Sequence, residues 1–388
     1  MNKKLGLAVA GALLAIGSSA ANAGITIPAG DWTVDLGGNV NAYYTHTTTS
    51  GSLKTGINSQ STNVIQTGLL PSALGIGAKT RQNDLDIAIQ FTFFVGSDSG
   101  TGAGAGNNSL NIRQSYLTFG DASWGTIKAG RDLGIYGSDA ILSDMTLLGV
   151  GVGAGTGGSS TLGRIGSGYQ YADWVGQISY ASPNWNGFSF AGALREPWTN
   201  GADTTRNNMG YEGKLTYDFA VSDVTGRVWL SGITQKHEAA GAVAGYTSKG
   251  WDIGAKAAAY GFGLVGYYYS GDGLSGEHGG PNNLILNGVD FLAQATKTND
   301  SGGYVQATYT IPNVGTKLGV SWGESNSQTP GATSEFKNES WIVGAYHPLT
   351  KSLNLVAEYT DEKIDNEGDV AGANGKAHTV SLGAILFY

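Results

Sequence analysis

Between Leu85 and Val95 the chain alternates. Leu85, Ile87, Ile89, Phe91, Phe93 and Val95 are apolar, and Asp86, Ala88, Gln90, Thr92 and Phe94 stand between them. A period of two sends successive side chains to opposite faces, so the segment reads as a strand with one wholly apolar face. The pattern recurs. Tyr211, Leu215, Tyr217 and Phe219 alternate with Glu212, Lys214, Thr216 and Asp218. Val305, Ala307, Tyr309 and Ile311 alternate with Gln306, Thr308 and Thr310, and Leu353, Leu355, Ala357 and Tyr359 with Asn354, Val356, Glu358 and Thr360. Such segments predict about sixteen strands, near 32–46, 72–80, 85–97, 110–120, 125–131, 174–181, 188–196, 209–219, 225–238, 250–260, 262–272, 303–311, 316–327, 339–347, 352–364 and 377–388. Each is close to the ~10 residues that a tilted membrane strand needs.

The second face decides what the strands build. It carries Lys214, Arg227, Lys256 and Glu358. The dry core of a sandwich could not hold these groups ionised and unpaired, whereas a wet lumen can. The connections alternate in length. Short ones lie at Val221 to Asp223, Pro312 to Gly315 and Pro348 to Ser352, and long polar ones at Thr47–Leu70, Asp98–Ser109, Gly273–Gly302 and Asn366–Gly375. Short turns on one side and long loops on the other belong to an all-β, antiparallel transmembrane barrel. The Gly-rich runs Gly100–Gly106 and Gly149–Gly158 read as loop material, because Gly weakens strand interiors.

The N-terminus gives the compartment. Lys3 and Lys4 precede an apolar run from Leu5 to Ile16, and Ala21-Asn22-Ala23 is a small-x-small site. These features predict a cleaved secretory signal peptide over 1–23 and a single barrel domain over 24–388. The apolar run is shorter than the roughly 20 residues of a membrane-spanning helix. With 19 Tyr and 9 Trp, the chain has the amphipathic rings that belong at a membrane–water interface. With no Cys, it holds itself together without disulfides. Loss of Lys3 and Lys4 with the signal segment takes the formal charge from −8 to −10, which argues against a nucleic-acid partner. The chain ends with Val380, Leu382, Ala384, Leu386 and Tyr388 on one face, as expected of a strand that closes a barrel on its first strand.

Three segments resemble the trimeric general porins of Gram-negative bacteria. The first is Arg113-Gln114-Ser115-Tyr116-Leu117-Thr118-Phe119-Gly120 with Trp124 to Arg131, similar to a family hairpin ending in Gly-Arg. The second is Ile178 to Pro183 with Asn186-Gly187-Phe188, and the third is the aromatic C-terminal strand. The resemblance implies a homotrimer in the outer membrane, in contact with its lipid and lipopolysaccharide. It also implies a water-filled channel for passive diffusion of small hydrophilic solutes and ions, needing no cofactor. Tyr388 stands where the family carries the aromatic read by the barrel-assembly machinery, and Arg131 at a subunit contact. The connection from about Asp132 to Gly163 would fold inward as a constriction loop, with Asp144 facing the lumen and Asp139 and Asp132 as further acids. Arg113, Arg164 and Lys128 would supply cations across the gap, while Ala73 occupies a position where the family often has Arg.

Two motifs carry less than their patterns suggest. Gly319-Val320-Ser321-Trp322-Gly323 matches a nucleophile elbow, but it lies within an alternating strand rather than at a strand-to-helix turn. Gly149-Val150-Gly151-Val152-Gly153-Ala154 matches a dinucleotide fingerprint with no amphipathic helix after it. The five His are scattered without metal-ligand spacing. Two alternatives to a general porin stand beside it. One is a substrate-selective channel, with Tyr267, Tyr268 and Tyr269 as a stacking track for sugars or as part of the interfacial girdle. The other is a barrel enzyme, which needs a catalytic cluster at the rim.

Overall fold

The computed structural model describes residues 24–51, 61–97, 110–155, 160–198, 207–239, 244–274, 285–286, 289–290, 297–328, 335–367 and 374–388. The expected signal segment 1–23 and the Gly-rich run 100–106 lie outside these residues. The strands are β1 Ile25–Ala29, β2 Trp32–Gly51, β3 Ser61–Gln66, β4 Ser72–Gln82, β5 Leu85–Val95, β6 Asn111–Asp121, β7 Gly125–Leu133, β8 Trp174–Ala181 and β9 Phe188–Arg195. They continue as β10 Gly210–Val221, β11 Val224–His237, β12 Tyr246–Ala259, β13 Phe262–Asp272, β14 Asn299–Thr310, β15 Lys317–Gln328, β16 Glu335–Pro348, β17 Leu353–Glu367 and β18 Gly375–Phe387. All eighteen belong to one antiparallel sheet, and Ile285–Leu286 pairs with Val289–Asp290 in a separate two-stranded ladder.

The sheet closes where β2 pairs with β18, from Asn39↔Phe387 to Gly51↔Gly375. Two positions around the barrel are each filled by two strands. β3 and β4 lie along the same edge of β2, with Thr48↔Ser61 at one end and Thr33↔Lys79 at the other. On the opposite edge Gly38 and Tyr388 exchange both backbone hydrogen bonds, at 3.0 and 3.2 Å, and β1 then continues the ladder at Leu36↔Ile25. Eighteen strands thus fill sixteen positions. Closure satisfies backbone groups that hydrocarbon could not.

The packing is inverted relative to a water-soluble protein. Outward Val40 and Leu215 are 58% and 59% exposed, while inward Thr45, Gln114, Ser231, Ser321 and Thr360 are buried. Aromatic rings collect toward the two rims. Trp124, Trp185, Phe188, Tyr217 and Tyr260 stand on the short-turn side, and Tyr44, Trp251, Tyr268, Trp341 and Tyr359 toward the other. Both rims match the girdles of a membrane barrel.

Several strands exceed the expected spans. β2 runs on to Gly51, and β3 forms within the expected loop Thr47–Leu70. β12, β14 and β16 begin at Tyr246, Asn299 and Glu335. These extensions are polar. Ladder hydrogen bonds do not require apolar side chains, so pairing continues beyond the stretch that alternation marks.

The seam between β2 and β18 depends on one close approach. A Cβ on Gly383 would press on the Ala42 carbonyl and the Tyr43 ring. Gly383→Val should cost about 1–3 kcal/mol by overpacking. The fraction of unheated protein that migrates as folded barrel on a gel should drop, and an unchanged fraction would count against this description of the seam.

Candidate pore constriction

The chain leaves β7 at Leu133 and enters β8 at Trp174. The connection between them is longer than expected, ending at Asp173 rather than near Gly163. The Gly134 N–H donates to the Asp173 carbonyl at 2.9 Å, which pins the two ends together. The segment contains a short helix, α1 Ser138–Ile141, and a 3-10 turn, Met145–Leu148. It does not lie over the rim. Its partners are the inward-facing side chains of the barrel wall.

A loop that joins no sheet must find partners for its buried amides. Here acids of the wall provide them. Glu212 on β10 accepts from Ile135 N at 2.5 Å and Tyr136 N at 3.3 Å, and Arg195 on β9 pairs with the same carboxylate at 2.6 Å. Asp252 on β12 accepts from Gly137 N at 3.0 Å. Glu358 on β17 accepts from Val150 N and Gly151 N at 2.8 and 2.9 Å, and from the Tyr346 hydroxyl at 2.6 Å. Amide-to-carboxylate bonds are charge-assisted, roughly twice as strong as neutral ones. The Tyr43 hydroxyl on β2 donates to the Leu148 carbonyl at 2.6 Å. The loop is therefore tied to the wall from β10 round to β2.

Arg164 makes a further tie and explains the elbow-like motif. Its side chain is 0% exposed. Nε donates to Ser321 Oγ at 2.5 Å, and Nη1 to Ser340 Oγ and the Ser167 carbonyl at 3.0 and 3.1 Å. Gly319 faces the Met145 sulfur, 2.5 Å from where a Cβ would sit, and Gly323 faces the Ser167 carbonyl and Arg164 at 2.8 and 2.9 Å. The two glycines and the serine of Gly319–Gly323 thus form a seat for the loop within β15.

The helix end of the loop meets the cations of the wall. Asp139 is 4% exposed and pairs with Lys214 on β10 at 2.6 Å and Arg227 on β11 at 3.0 Å. Arg227 also grips Asp218 at 2.6 Å. Lys256 on β12 reaches Ser143 Oγ at 3.3 Å. Burial alone would raise the Asp139 carboxyl, but Lys214 and Arg227 outweigh it and hold the group below the ordinary carboxylate range.

The sequence matches a model of Gram-negative porins over residues 8–368. The chain belongs to the Gram-negative porin family. No curated protein matches the sequence. Solved structures agree on the fold. The outer-membrane channel DcaP of Acinetobacter baumannii is 15% identical, covers 95% of this chain and 100% of its own, and superposes with a TM-score of 0.62. OmpF of Salmonella typhi in complex with daunomycin is 18% identical over 94% of this chain and 100% of its own, also at 0.62. OmpT of Vibrio cholerae in its trimer form is 14% identical over 92% and 99%, at 0.56. The protein is an outer-membrane porin, a channel for passive diffusion.

Against this background the expected site residues separate. Asp144 does not face open lumen. Its carboxylate caps the 3-10 turn through Thr146 N at 2.9 Å and accepts from the Tyr169 hydroxyl at 2.8 Å, so it anchors the loop. Arg164 is a buried clamp rather than a lumen cation. Asp132 is buried and bound by Gln114 at 2.9 Å and by Lys128, whose ammonium also lies 4.8 Å over the Tyr116 ring. Arg113 stands at a register shift between Thr92 and Phe93, which turns it over the inward Phe94 ring at 5.1 Å. Ala73, where the family often has Arg, pairs with Asn39 and Phe94 and presents no charge.

Arg131 lies exposed on the outward face, opposite Ser115 and Gly176. The Tyr388 hydroxyl donates to the Ala73 carbonyl at 3.4 Å. Tyr267 and Tyr269 are buried beneath the loop, and Tyr268 alone points outward, so the three do not form one track.

Glu212, Asp252 and the Lys214–Arg227 pair were not selected as site residues from the sequence. Their mark was an ionised side chain on the inward parity of a strand.

The Asp139 clamp predicts an acid limit. A carboxyl depressed in the folded state contributes its stability above its unfolded pKa of ~3.9, and loses it as pH falls through the lower folded value. Single-channel currents should stay quiet from pH 7 down to about 4 and become noisy below that. Asp139→Asn should be noisy throughout, and noise in the native protein that rises between pH 7 and 5 would contradict the assignment.

Proposed function

We propose that the loop of residues 134–173 sets the bore of this porin, and that small hydrophilic solutes pass beside it without being bound or chemically changed. The observation that carries this reading is the lopsided attachment of the loop. Its ties run to β2, β10, β11, β12, β14, β15, β16 and β17, with Gln306 on β14 bonded to Met145 N at 2.7 Å and to the Ser143 carbonyl at 3.1 Å. Across from them the inward positions Gly75 and Gly77 of β4 carry no side chain, and the Gln90 side chain of β5 lies over them.

A non-enzymatic channel is supported by Ser321, whose hydroxyl is engaged by Arg164 within a regular strand. Assembly as a homotrimer is supported by the exposed outward Arg131 and by the trimer form of the Vibrio cholerae protein. The mature chain begins at Gly24. The aromatic strand that carries Tyr388 is read by the barrel-assembly machinery, and the outer rim meets lipopolysaccharide.

Reconstitution into planar bilayers should give large ohmic steps that close in threes. In liposomes, swelling rates should fall smoothly with solute size. Saturable uptake of one solute would favour a dedicated channel instead, and hydrolytic turnover abolished by a single rim substitution would favour an enzyme.

A further inference from the structure

The outward face of the barrel is not smooth. On β12 and β13 the outward positions Ala255, Ala257 and Gly266 are small, and Ala307 stands beside them on β14. A Cβ placed on Gly266 would meet nothing within 4 Å. These residues floor a hollow of about 530 Å³. Its sides are Val228, Leu264, Val305 and Val320, and Leu264 and Val305 are 59% and 56% exposed. The Trp322 and Trp341 rings, 6.3 Å apart, close one end.

The hollow rises obliquely across the wall. At its low end Phe219 lies two residues before Val221, where β10 meets its short turn. At its high end Trp341 lies seven residues before Pro348, where β16 meets its own. Between these ends the register carries one row across the strands, from Val228 to Ala255, Gly266, Val305 and Trp322.

Three observations bear on what fills this space. The hollow is continuous with the apolar band between the two aromatic rims, so its surroundings are hydrocarbon. Arg131, the outward charge that hydrocarbon would not tolerate, stands on β7, with β8 to β12 between it and Gly266. A second copy seated over Arg131 thus covers another part of the wall. Size argues against a helical partner as well. A helix is about 10–12 Å across, so the hollow would hold roughly one turn of it.

We propose that the hollow seats one acyl chain of a phospholipid. The headgroup lies at the short-turn rim beside Phe219, and the chain runs over Gly266 and ends beneath Trp322 and Trp341. Apolar contact alone gives no preference here, because bulk lipid is equally apolar. The preference comes from fit. Lining atoms with no neighbour forfeit dispersion contacts, and a thin flexible chain restores them. The leaflet follows from the slope of the hollow, whose open low end lies at the short-turn rim.

The test is mass spectrometry of the intact, detergent-solubilised porin supplied with equal amounts of phosphatidylethanolamine and lipid A. The native protein should retain one phosphatidylethanolamine per chain. Gly266→Leu, which fills the hollow from a position with free space around it, should lose that lipid while keeping its folded migration on a gel and its channel steps. Ala255→Leu should lose it too, and serves if Gly266→Leu does not fold. Leu215→Ala, on the outward face of β10 outside the hollow, should retain it. Equal retention by the native protein and the folded filled variants would overturn the seat, as would no retention by the native protein. Retention of lipid A instead would overturn the phospholipid assignment. Oxidation of Gly266→Cys to disulfide-linked pairs in the bilayer would give the hollow to a second copy and overturn the proposal.

Discussion

The governing constraint is that hydrocarbon offers no partner to a backbone N–H or C=O. Every group of a spanning segment must then be satisfied within the protein, and a sheet can do this only by closing. The rest follows from closure. β2 must meet β18, and the stagger of tilted strands leaves part of β2 beyond the end of β18. β1 pairs with that part, in line with Tyr388. Apolar side chains must face outward, so the polar ones face inward and create a lumen. An empty lumen of sixteen strand positions would be wide, and the segment between β7 and β8 fills part of it.

That segment obeys the same rule by other means. It has no sheet neighbour, so its amides are taken by carboxylates of the wall: Glu212, Asp252 and Glu358. A buried carboxylate is costly alone, and a buried amide is costly alone, but together they are stable. Inward acids thus hold the loop on one part of the wall. Inward cations lie mainly toward the short turns, where Asp139 neutralises two of them. The division arises from what each charge can donate or accept. Carboxylates can receive loop amides, whereas lysines and arginines cannot.

Much of the fold was legible because a period of two is a local signal. The run from Leu85 to Val95 declared its strand, its outward face and its inward face without reference to the rest of the chain. The polar ends of β2, β14 and β16 were not legible, because beyond the membrane pairing no longer needs alternation. The site was only partly legible. Resemblance to porins located the loop, and Arg113 needed an irregularity at Thr92 and Phe93 that no pattern of side chains announces. Asp144 and Arg164 both have the composition of lumen charges. Each is instead buried by contacts with residues distant in sequence, Arg164 with Ser321 and Ser340, Asp144 with Tyr169. The Gly319–Gly323 run looked idle as a motif, and its purpose appears only once Met145 and Arg164 are seen packed on it.

The central claim is that the loop between β7 and β8 bounds the conducting space. Because the chain contains no Cys, a single cysteine can be placed at will. Ser143 is only partly buried, stands at the bend of the loop and touches Lys256. Ser143→Cys channels exposed to a bulky, negatively charged thiol reagent during single-channel recording should lose conductance in discrete steps. Complete modification, verified by mass, with no change in conductance would contradict the account.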